Sequence, residues 1–186
     1  MQKLHEITKS SEIMFEGRVI NLRVDTVELE DGSTATREIV EHPGGVCVIS
    51  LDENQEVLMV KQFRAPFGKI LLEVPAGKLN PEEDHFECGK REFSEETGYI
   101  AENFTYLGSV YPSVGFLTED LHVYLAEDLT KTTQNLDADE FLAVEKHKLS
   151  ELVDMVLKNE IKDAKTIIAI LMLNERINGN VESVEG

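Results

Sequence analysis

One short acidic segment is the part of the sequence best suited to chemistry. Seven of the fifteen residues from 82 to 96 are acidic, namely Glu82, Glu83, Asp84, Glu87, Glu92, Glu95 and Glu96. The last three stand at positions i, i+3 and i+4, so a helix would place them on one face, where like charges repel. Converging carboxylates supply the oxygen ligands that a hard cation such as Mg²⁺ takes. Glu92, Glu95 and Glu96 are therefore candidate metal ligands, although a solvated acidic helix face explains the same spacing.

A helix is predicted for this acidic segment. Asn80 is a suitable N-cap, Pro81 suits the first helical position, and Glu83 has the spacing of a capping box. The helix should run to about Thr97, where Gly98 stops it.

The residues around the helix predict how it is held. Gly77 lets the backbone turn tightly between a strand at 70–74 and the helix. Phe86, Gly89 and Phe93 fall on the face opposite the glutamates and should pack on a sheet, with Gly89 allowing close approach.

The rest of the chain predicts strands mixed with a few helices. Residues 1–42 form a small N-terminal sheet region, with a hairpin at Asp31-Gly32, and residues 43–186 form the main domain. Strands are expected at 12–15, 20–29, 33–40, 46–51, 56–63, 70–74, 105–111, 122–127 and 142–148, with the 46–51 and 56–63 runs pairing. Closing helices begin near Ser150 and Asp163. This order indicates an α/β or α+β sandwich.

Composition excludes several classes of partner. The 186 residues include 36 acidic and 18 basic side chains, a net charge of −18. That balance argues against binding to a nucleic-acid backbone and against binding to an anionic membrane surface. The start of the chain has no apolar signal segment, and Cys47 and Cys88 lie in apolar patterns that favour two buried thiols, so we expect a cytoplasmic protein. The scattered His85, His122 and His147 lack zinc-site spacing.

The acidic segment resembles the signature of the Nudix hydrolases, Gly-x5-Glu-x7-Arg-Glu-U-x-Glu-Glu-x-Gly-U, where U is bulky and apolar. Here it runs from Gly77 through Glu83 to Arg91-Glu92-Phe93-Ser94-Glu95-Glu96-Thr97-Gly98-Tyr99. Every fixed position matches, and the last U, usually aliphatic, is Tyr99. The resemblance implies a Nudix α/β/α sandwich with a mixed sheet, together with the small N-terminal antiparallel β-sheet.

The resemblance also implies an activity, the hydrolysis of a nucleoside diphosphate linked to another moiety. It assigns a divalent metal, Mg²⁺ with Mn²⁺ as an alternative, to the ligands Glu92, Glu95, Glu96 and the backbone carbonyl of Ala76. Gly77, Glu83 and Arg91 would be structural, with an ion pair between Glu83 and Arg91 orienting the acidic face.

Further segments resemble the ADP-ribose pyrophosphatase subfamily. They are residues 37–46, 60–64, 72–78 and 111–116, within a similarity that spans about 12–175. Val114 departs from this pattern, because it stands where the subfamily usually has proline. The resemblance implies a homodimer, formed through the N-terminal sheet, in which both subunits build the substrate site.

Substrate-binding residues follow from these segments by resemblance. Arg37 would lie near the adenosine end and Arg64 near the phosphates, with Glu38, Ser113 and Gly115 as further contacts. The alternative for both arginines is a salt bridge on a very acidic protein.

The general base is expected in an acidic loop after the helix. Its candidates are Asp137, Asp139 and Glu140, of which Glu140 is favoured, and Glu119 is a second possibility. The main hypothesis is hydrolysis of ADP-ribose to AMP and ribose 5-phosphate. The alternatives are another nucleotide sugar such as GDP-mannose, which Val114 keeps open, and a sensor that binds without cleaving. The intact Nudix signature argues against the sensor.

Overall fold

The computed structural model describes residues 4–138 and 140–179. Its strands are β1 (Ile7–Glu16), β2 (Asn21–Glu28), β3 (Thr34–Glu41), β4 (Gly45–Ser50), β5 (Glu56–Arg64), β6 (Lys69–Glu73), β7 (Ala76–Lys78), β8 (Tyr99–Val110), β9 (Leu121–Lys131) and β10 (Leu142–Lys148). Its helices are α1 (His85–Thr97), α2 (Leu149–Leu157) and α3 (Ala164–Ile177). The chain forms two compact units, one comprising residues up to Gly44 together with Tyr111–Asp120, and the other comprising the remainder.

The first unit is a three-stranded antiparallel sheet in the order β1-β2-β3. The predicted turn after β2 contains Gly32 at φ 82°, a left-handed conformation that suits glycine. Val40 joins the sheet to the second segment of the unit, because its N–H donates to the Phe116 carbonyl (2.7 Å) and its carbonyl accepts from the Thr118 N–H (3.0 Å). All ten residues of β1 are exposed.

The second unit contains two sheets, β7-β4-β9-β8 and β10-β5-β6. The first is mixed, since β4 runs parallel to β9 and antiparallel to β7. Side chains of β4 alternate between two apolar clusters: Val46 and Val48 pack with Phe93 of α1, whereas Cys47 and Ile49 belong to the cluster of α2 and α3. Helices therefore cover both faces of β4, which is the expected α/β/α arrangement.

Strands β4 and β5 form as predicted but do not pair with each other. Strand β5 lies between β10 and β6 in the other sheet. The Asp52 side chain closes the connection, accepting hydrogen bonds from the N–H groups of Asn54 and Glu56, both at 2.9 Å. The two strands separate beyond this turn, where the Leu58 N–H donates to the Ser50 hydroxyl rather than to a ladder carbonyl.

The N-cap of helix α1 lies four residues later than predicted. Asp84 is the actual cap, and its side chain accepts from the Phe86 N–H at 2.9 Å. The Asn80 and Glu83 pair still makes the bond of a capping box, from the Asn80 N–H to Glu83 Oε2 (2.9 Å), but it closes a turn in which Glu82 has φ 61°. The helix ends at Gly98, in a left-handed conformation, as predicted.

Cys47 and Cys88 are both buried thiols, as the sequence predicts. None of the helices in the described part of the chain combines the length and apolar character that a membrane-spanning helix requires.

Candidate active site

Helix α1 carries its acidic face around a central arginine. Arg91 makes a two-pronged ion pair with Glu83, with Nε to Oε1 and Nη2 to Oε2 both at 2.8 Å. Its remaining nitrogen, Nη1, donates to Glu92 Oε1 (2.7 Å) and to Glu95 Oε2 (3.0 Å). The bonds from Arg91 lower the pKa of Glu83 to about 2. The expected ion pair is therefore present, and the same arginine offsets much of the repulsion between the glutamates.

The Glu92 side chain packs closely on strand β7, and this packing explains why residue 77 is glycine. The residue lies within β7 rather than in a tight turn, and its need for glycine is steric. A Cβ at this position would lie 2.0 Å from Cδ of Glu92, so the Glu92 carboxylate is packed directly on the strand backbone.

Gly89 has the role predicted for it on the opposite face of α1. A Cβ there would lie 2.9 Å from the Val46 side chain and 3.1 Å from the Phe104 ring. The absence of a side chain thus lets α1 approach the sheet, which holds the acidic face in place.

Glu96 is the carboxylate of the acidic face that Arg91 does not contact. It is only 3% exposed, and its Oε2 accepts a hydrogen bond from the Ala76 N–H at 3.0 Å. Burial, with added repulsion from Glu140 and Glu92, raises the pKa of Glu96 to about 8. Burial likewise raises the pKa of Glu92. These two side chains lie against consecutive residues of β7, and additional positive charge beside them would stabilise their ionised forms.

The loop after β9 brings Glu140 into the same carboxylate group. Its Oε1 accepts from the Gln62 amide on β5 at 3.3 Å, and its charge acts on both Glu92 and Glu96. Of the other candidate bases, Asp137 accepts from the Glu140 N–H through its backbone carbonyl (3.0 Å), and Asp139 lies outside the described residues.

The start of this loop is attached to the end of α1. The Asn135 N–H donates to the Glu95 carbonyl (2.9 Å), the Gln134 amide donates to the Glu96 carbonyl (2.6 Å), and the Thr132 N–H donates to the Gly98 carbonyl (2.7 Å). The loop that carries the candidate base is therefore joined to the helix that carries the candidate ligands.

Arg64 belongs to a buried ion network. Its Nε and Nη2 atoms donate to the two oxygens of Glu73, at 2.7 and 2.8 Å. Glu73 is 1% exposed and also bonds to Lys165, which lies 2.9 Å from Asp163 at the start of α3. The salt-bridge alternative for Arg64 is thus realised. Glu96 also contributes to raising the pKa of Arg64, so the arginine lies within the field of the carboxylate group.

The other substrate-binding candidates lie in the first unit. Arg37 pairs with Glu6, with Nε to Oε2 at 2.9 Å, which again is the salt-bridge alternative. Glu38 is exposed on the same strand, β3. Ser113 accepts at its carbonyl from the N–H groups of Phe116 and Leu117, in a turn that contains the exposed Gly115. Arg37, Glu38, Ser113 and Gly115 therefore belong to the first unit. The other candidates lie together in the second unit, namely Glu92, Glu95, Glu96, Glu140 and Arg64.

The carboxylate group offers oxygen donors to a metal ion. Across residues 4–138 and 140–179, no three His, Cys, Asp or Glu side chains are arranged to hold an ion. Arg91 instead holds Glu92 and Glu95. The donor set nevertheless fits a hard divalent cation, because buried carboxylates whose pKa values are raised by burial and mutual repulsion gain from added positive charge.

Four side chains of this region were not identified from the sequence. Gln62, Glu73 and the loop residue Gln134 contact the candidate residues, and Lys165 contacts Glu73. Gln62 and Glu73 lie in the segments that resemble ADP-ribose pyrophosphatases, which could have drawn attention to them. A lone lysine at a helix start carries no comparable signal.

Comparison with known proteins identifies the family. A model of the NUDIX domain matches residues 41–170, and a model of the nucleoside diphosphate sugar hydrolase N-terminal domain matches residues 6–40. An ADP-ribose pyrophosphatase of Bacillus subtilis (strain 168) is 42% identical over 93% of this chain and 95% of its own length. A methanol dehydrogenase activator of Bacillus methanolicus is also 42% identical, over 90% and 92%.

More distant relatives agree with this result. A GDP-mannose pyrophosphatase of Yersinia enterocolitica is 32% identical over 76% of this chain and 81% of its own length. A crystal structure of an ADP compounds hydrolase has the same fold, with a TM-score of 0.84 at 18% identity, covering 97% of this chain and all of that one. The matches to the two family models and the 42% identity over almost the whole chain together show that this protein belongs to the Nudix hydrolase family.

Proposed function

We propose that the protein hydrolyses the pyrophosphate bond of ADP-ribose, with water, to AMP and ribose 5-phosphate. The observation that carries this proposal is the group formed by Glu92, Glu96 and Glu140, with Arg64 within its field. The relative of Bacillus subtilis, which is named ADP-ribose pyrophosphatase and is similar over nearly the whole chain, supports the choice of substrate.

In this proposal each residue has a distinct task. Arg64 contacts the anionic phosphates through its Nη1 group, because its Nε and Nη2 atoms bind Glu73 and hold the planar guanidinium in place. Glu140 accepts a proton from the attacking water, a role supported by the effect of its charge on both Glu92 and Glu96. Arg91 orients Glu92 and Glu95, and Gly77 leaves room for the Glu92 carboxylate.

A divalent cation, Mg²⁺ with Mn²⁺ as the alternative, is part of the proposal. Glu92, Glu95 and Glu96 would hold it, and the Ala76 carbonyl is the further candidate ligand. When bound, the ion supplies positive charge beside the phosphates and the acidity that activates a water molecule.

Substrate and metal are tested together with a panel of nucleoside diphosphate compounds. We expect ADP-ribose to have the highest kcat/KM with Mg²⁺, and EDTA to remove activity that Mg²⁺ then restores. AMP and ribose 5-phosphate should appear in equal amounts by chromatography. Activity that persists in EDTA, or ADP-ribose among the poorest substrates, would contradict the respective part of the proposal.

GDP-mannose is the second candidate substrate. Val114 supports it, since this exposed residue stands where the resembling subfamily has proline. The GDP-mannose pyrophosphatase of Yersinia enterocolitica is also among the relatives. The same panel separates the two candidates by their kcat/KM ratio.

We also propose a cytoplasmic homodimer formed through the N-terminal region, residues 1–42. Strand β1 exposes four large apolar side chains, Ile7, Ile13, Met14 and Phe15. Such exposure commonly marks an interaction surface. Sedimentation velocity should give twice the chain mass of 20.9 kDa, and the I13D/F15D variant should sediment as a monomer. A wild-type monomer at micromolar concentration would contradict the dimer.

A further inference from the structure

Glu73 is a buried carboxylate shared between two cations. Arg64 binds both of its oxygens, and Lys165 donates to Oε2, which already accepts from Arg64. Burial alone would raise the pKa of Glu73, but the bonds from Arg64 and Lys165 lower it. The carboxylate is therefore ionised, and two positive charges face one negative charge.

The share of the Glu73 charge that opposes Arg64 depends on Lys165. If Glu73 were left to Arg64 alone, its whole negative charge would offset the guanidinium, and such a pair attracts an anion weakly. Lys165 and its other partner, Asp163, balance each other, so the group of four is neutral, but the charge of Glu73 is shared between two cations. Asp163 also caps α3, because its side chain accepts from the Thr166 N–H (3.1 Å) and hydroxyl (2.6 Å).

The Arg64 guanidinium is the accessible part of this network. The Arg64 side chain is 36% exposed, whereas those of Lys165 and Glu73 are 16% and 1% exposed. The bonds to Glu73 use Nε and Nη2, and they leave both hydrogens of Nη1 outside the pair. The buried members thus fix the plane of the guanidinium and the exposed member presents the charge.

We propose that Lys165 is a positioning residue for the substrate: by sharing Glu73, it keeps the charge of Arg64 available to the phosphates of the nucleoside diphosphate. The inference rests on the proposed function, since it deepens the role given there to Arg64. Lys165 itself touches no substrate. Its removal should therefore weaken the ground state and the transition state of the bound substrate equally, and so affect binding rather than the chemical step.

The test compares K165M with K165R and two controls. In K165M, Glu73 is left to Arg64 alone, and we expect KM for the best substrate of the panel to rise about tenfold with kcat changed less than about threefold. K165R should return KM to within about threefold of the wild type. K158M removes one positive charge from an exposed pair on the same acidic protein and should leave KM unchanged.

D163N separates charge sharing from the anchoring of α3. Asparagine is also a good N-cap, so the helix start is preserved while Lys165 loses only its second partner. We expect KM of D163N to stay within about threefold of the wild type. If K165M does not fold, the D163N/K165M double variant, which removes the Lys165–Asp163 pair as a unit, replaces it and should show the same rise in KM.

Two results would overturn the proposal. One is an unchanged KM in folded K165M or in the double variant, and the other is a fall in kcat alone. If the wild type hydrolyses no compound of the panel, the proposed function fails, but the role of Lys165 can still be measured. Calorimetric titration with inorganic pyrophosphate in EDTA should then give a Kd about tenfold higher for K165M than for the wild type, and equal values would reject the role.

Discussion

Replacing Glu96 by glutamine is expected to reduce hydrolysis by about 10³-fold or more, equivalent to about 4 kcal/mol of transition-state stabilisation, while the protein stays folded. Glu96 is the most buried carboxylate of the acidic face and is bonded to the Ala76 N–H rather than to Arg91. Glutamine keeps the shape and an oxygen acceptor for that bond but removes the negative charge that would hold a cation. Steady-state kinetics with Mg²⁺ measures the loss, and wild-type activity in E96Q would reject the assignment of Glu96 as a metal ligand.

The E96Q variant also tests how the stability of the metal-free protein depends on pH. Because the pKa of Glu96 is raised from 4.5 to about 8, the fold favours its protonated form. This contribution to stability is fully present below pH 4.5 and is lost as the pH rises through 8. In EDTA, the Tm of the wild type should therefore fall relative to that of E96Q as the pH rises from 5 to 8. Mg²⁺ should raise the Tm of the wild type and leave that of E96Q unchanged.

E140Q is the matched comparison for E96Q. Glu140 lies in the loop and accepts from Gln62, and it is proposed as the base rather than as a ligand. We expect kcat to fall by at least about 10²-fold, the lower range for a general base, with Mn²⁺ binding retained by calorimetry. Loss of Mn²⁺ binding in E140Q would instead place Glu140 among the ligands.

The second large effect is expected for Gly77→Ala. The new methyl group would lie 2.0 Å from Cδ of Glu92, and it must displace that carboxylate from β7. A displacement of about 1 Å in a catalytic group costs about 10² in rate, so we expect kcat/KM to fall by about that factor. The displaced atoms are the end of a flexible side chain, and the free energy of unfolding should change by less than about 1 kcal/mol.

Gly89→Ala is the control for this prediction. Its methyl group would meet Val46 and Phe104, which are packed side chains of the sheet rather than groups of the acidic face. Overpacking of this kind costs about 1–3 kcal/mol of stability, while activity per folded molecule should stay within about threefold. Urea unfolding and kinetics on both variants measure the contrast. A G77A variant with wild-type kcat/KM would show that the position of Glu92 does not matter.

Local rules predicted the strands and helices well where one element decided the outcome. Gly98 ends α1, α3 begins at Asp163, and Gly89 packs against the sheet. These features were predictable because each depends on a local conformation or on helical periodicity. The N-cap of α1 was placed too early. Both Asn80 and Asp84 can cap a helix, and the bond between Asn80 and Glu83 closes a turn instead.

Features that depend on distant parts of the chain were not predictable in this way. The sheet of β5 is set by pairing with β10, more than eighty residues later, so the short connection at Asp52 misleadingly suggested a hairpin. The reason for Gly77 is a side chain fifteen residues away. Helical spacing predicts that Glu92, Glu95 and Glu96 share one face. Arg91 makes three ion pairs there, and only the one to Glu83 was expected.

The bonds between the loop and α1 have a consequence for how the loop can vary. The carbonyls of the last helical turn have no partner within a helix, and those of Glu95 and Glu96 are satisfied here by Asn135 and Gln134. The loop is thus also the C-terminal cap of the helix. Lengthening or shortening it between these anchors and Glu140 would alter the base alone, whereas a change at the anchors would unravel the turn that carries two candidate ligands. The position of the candidate base can therefore change through the middle of this loop far more readily than through its start.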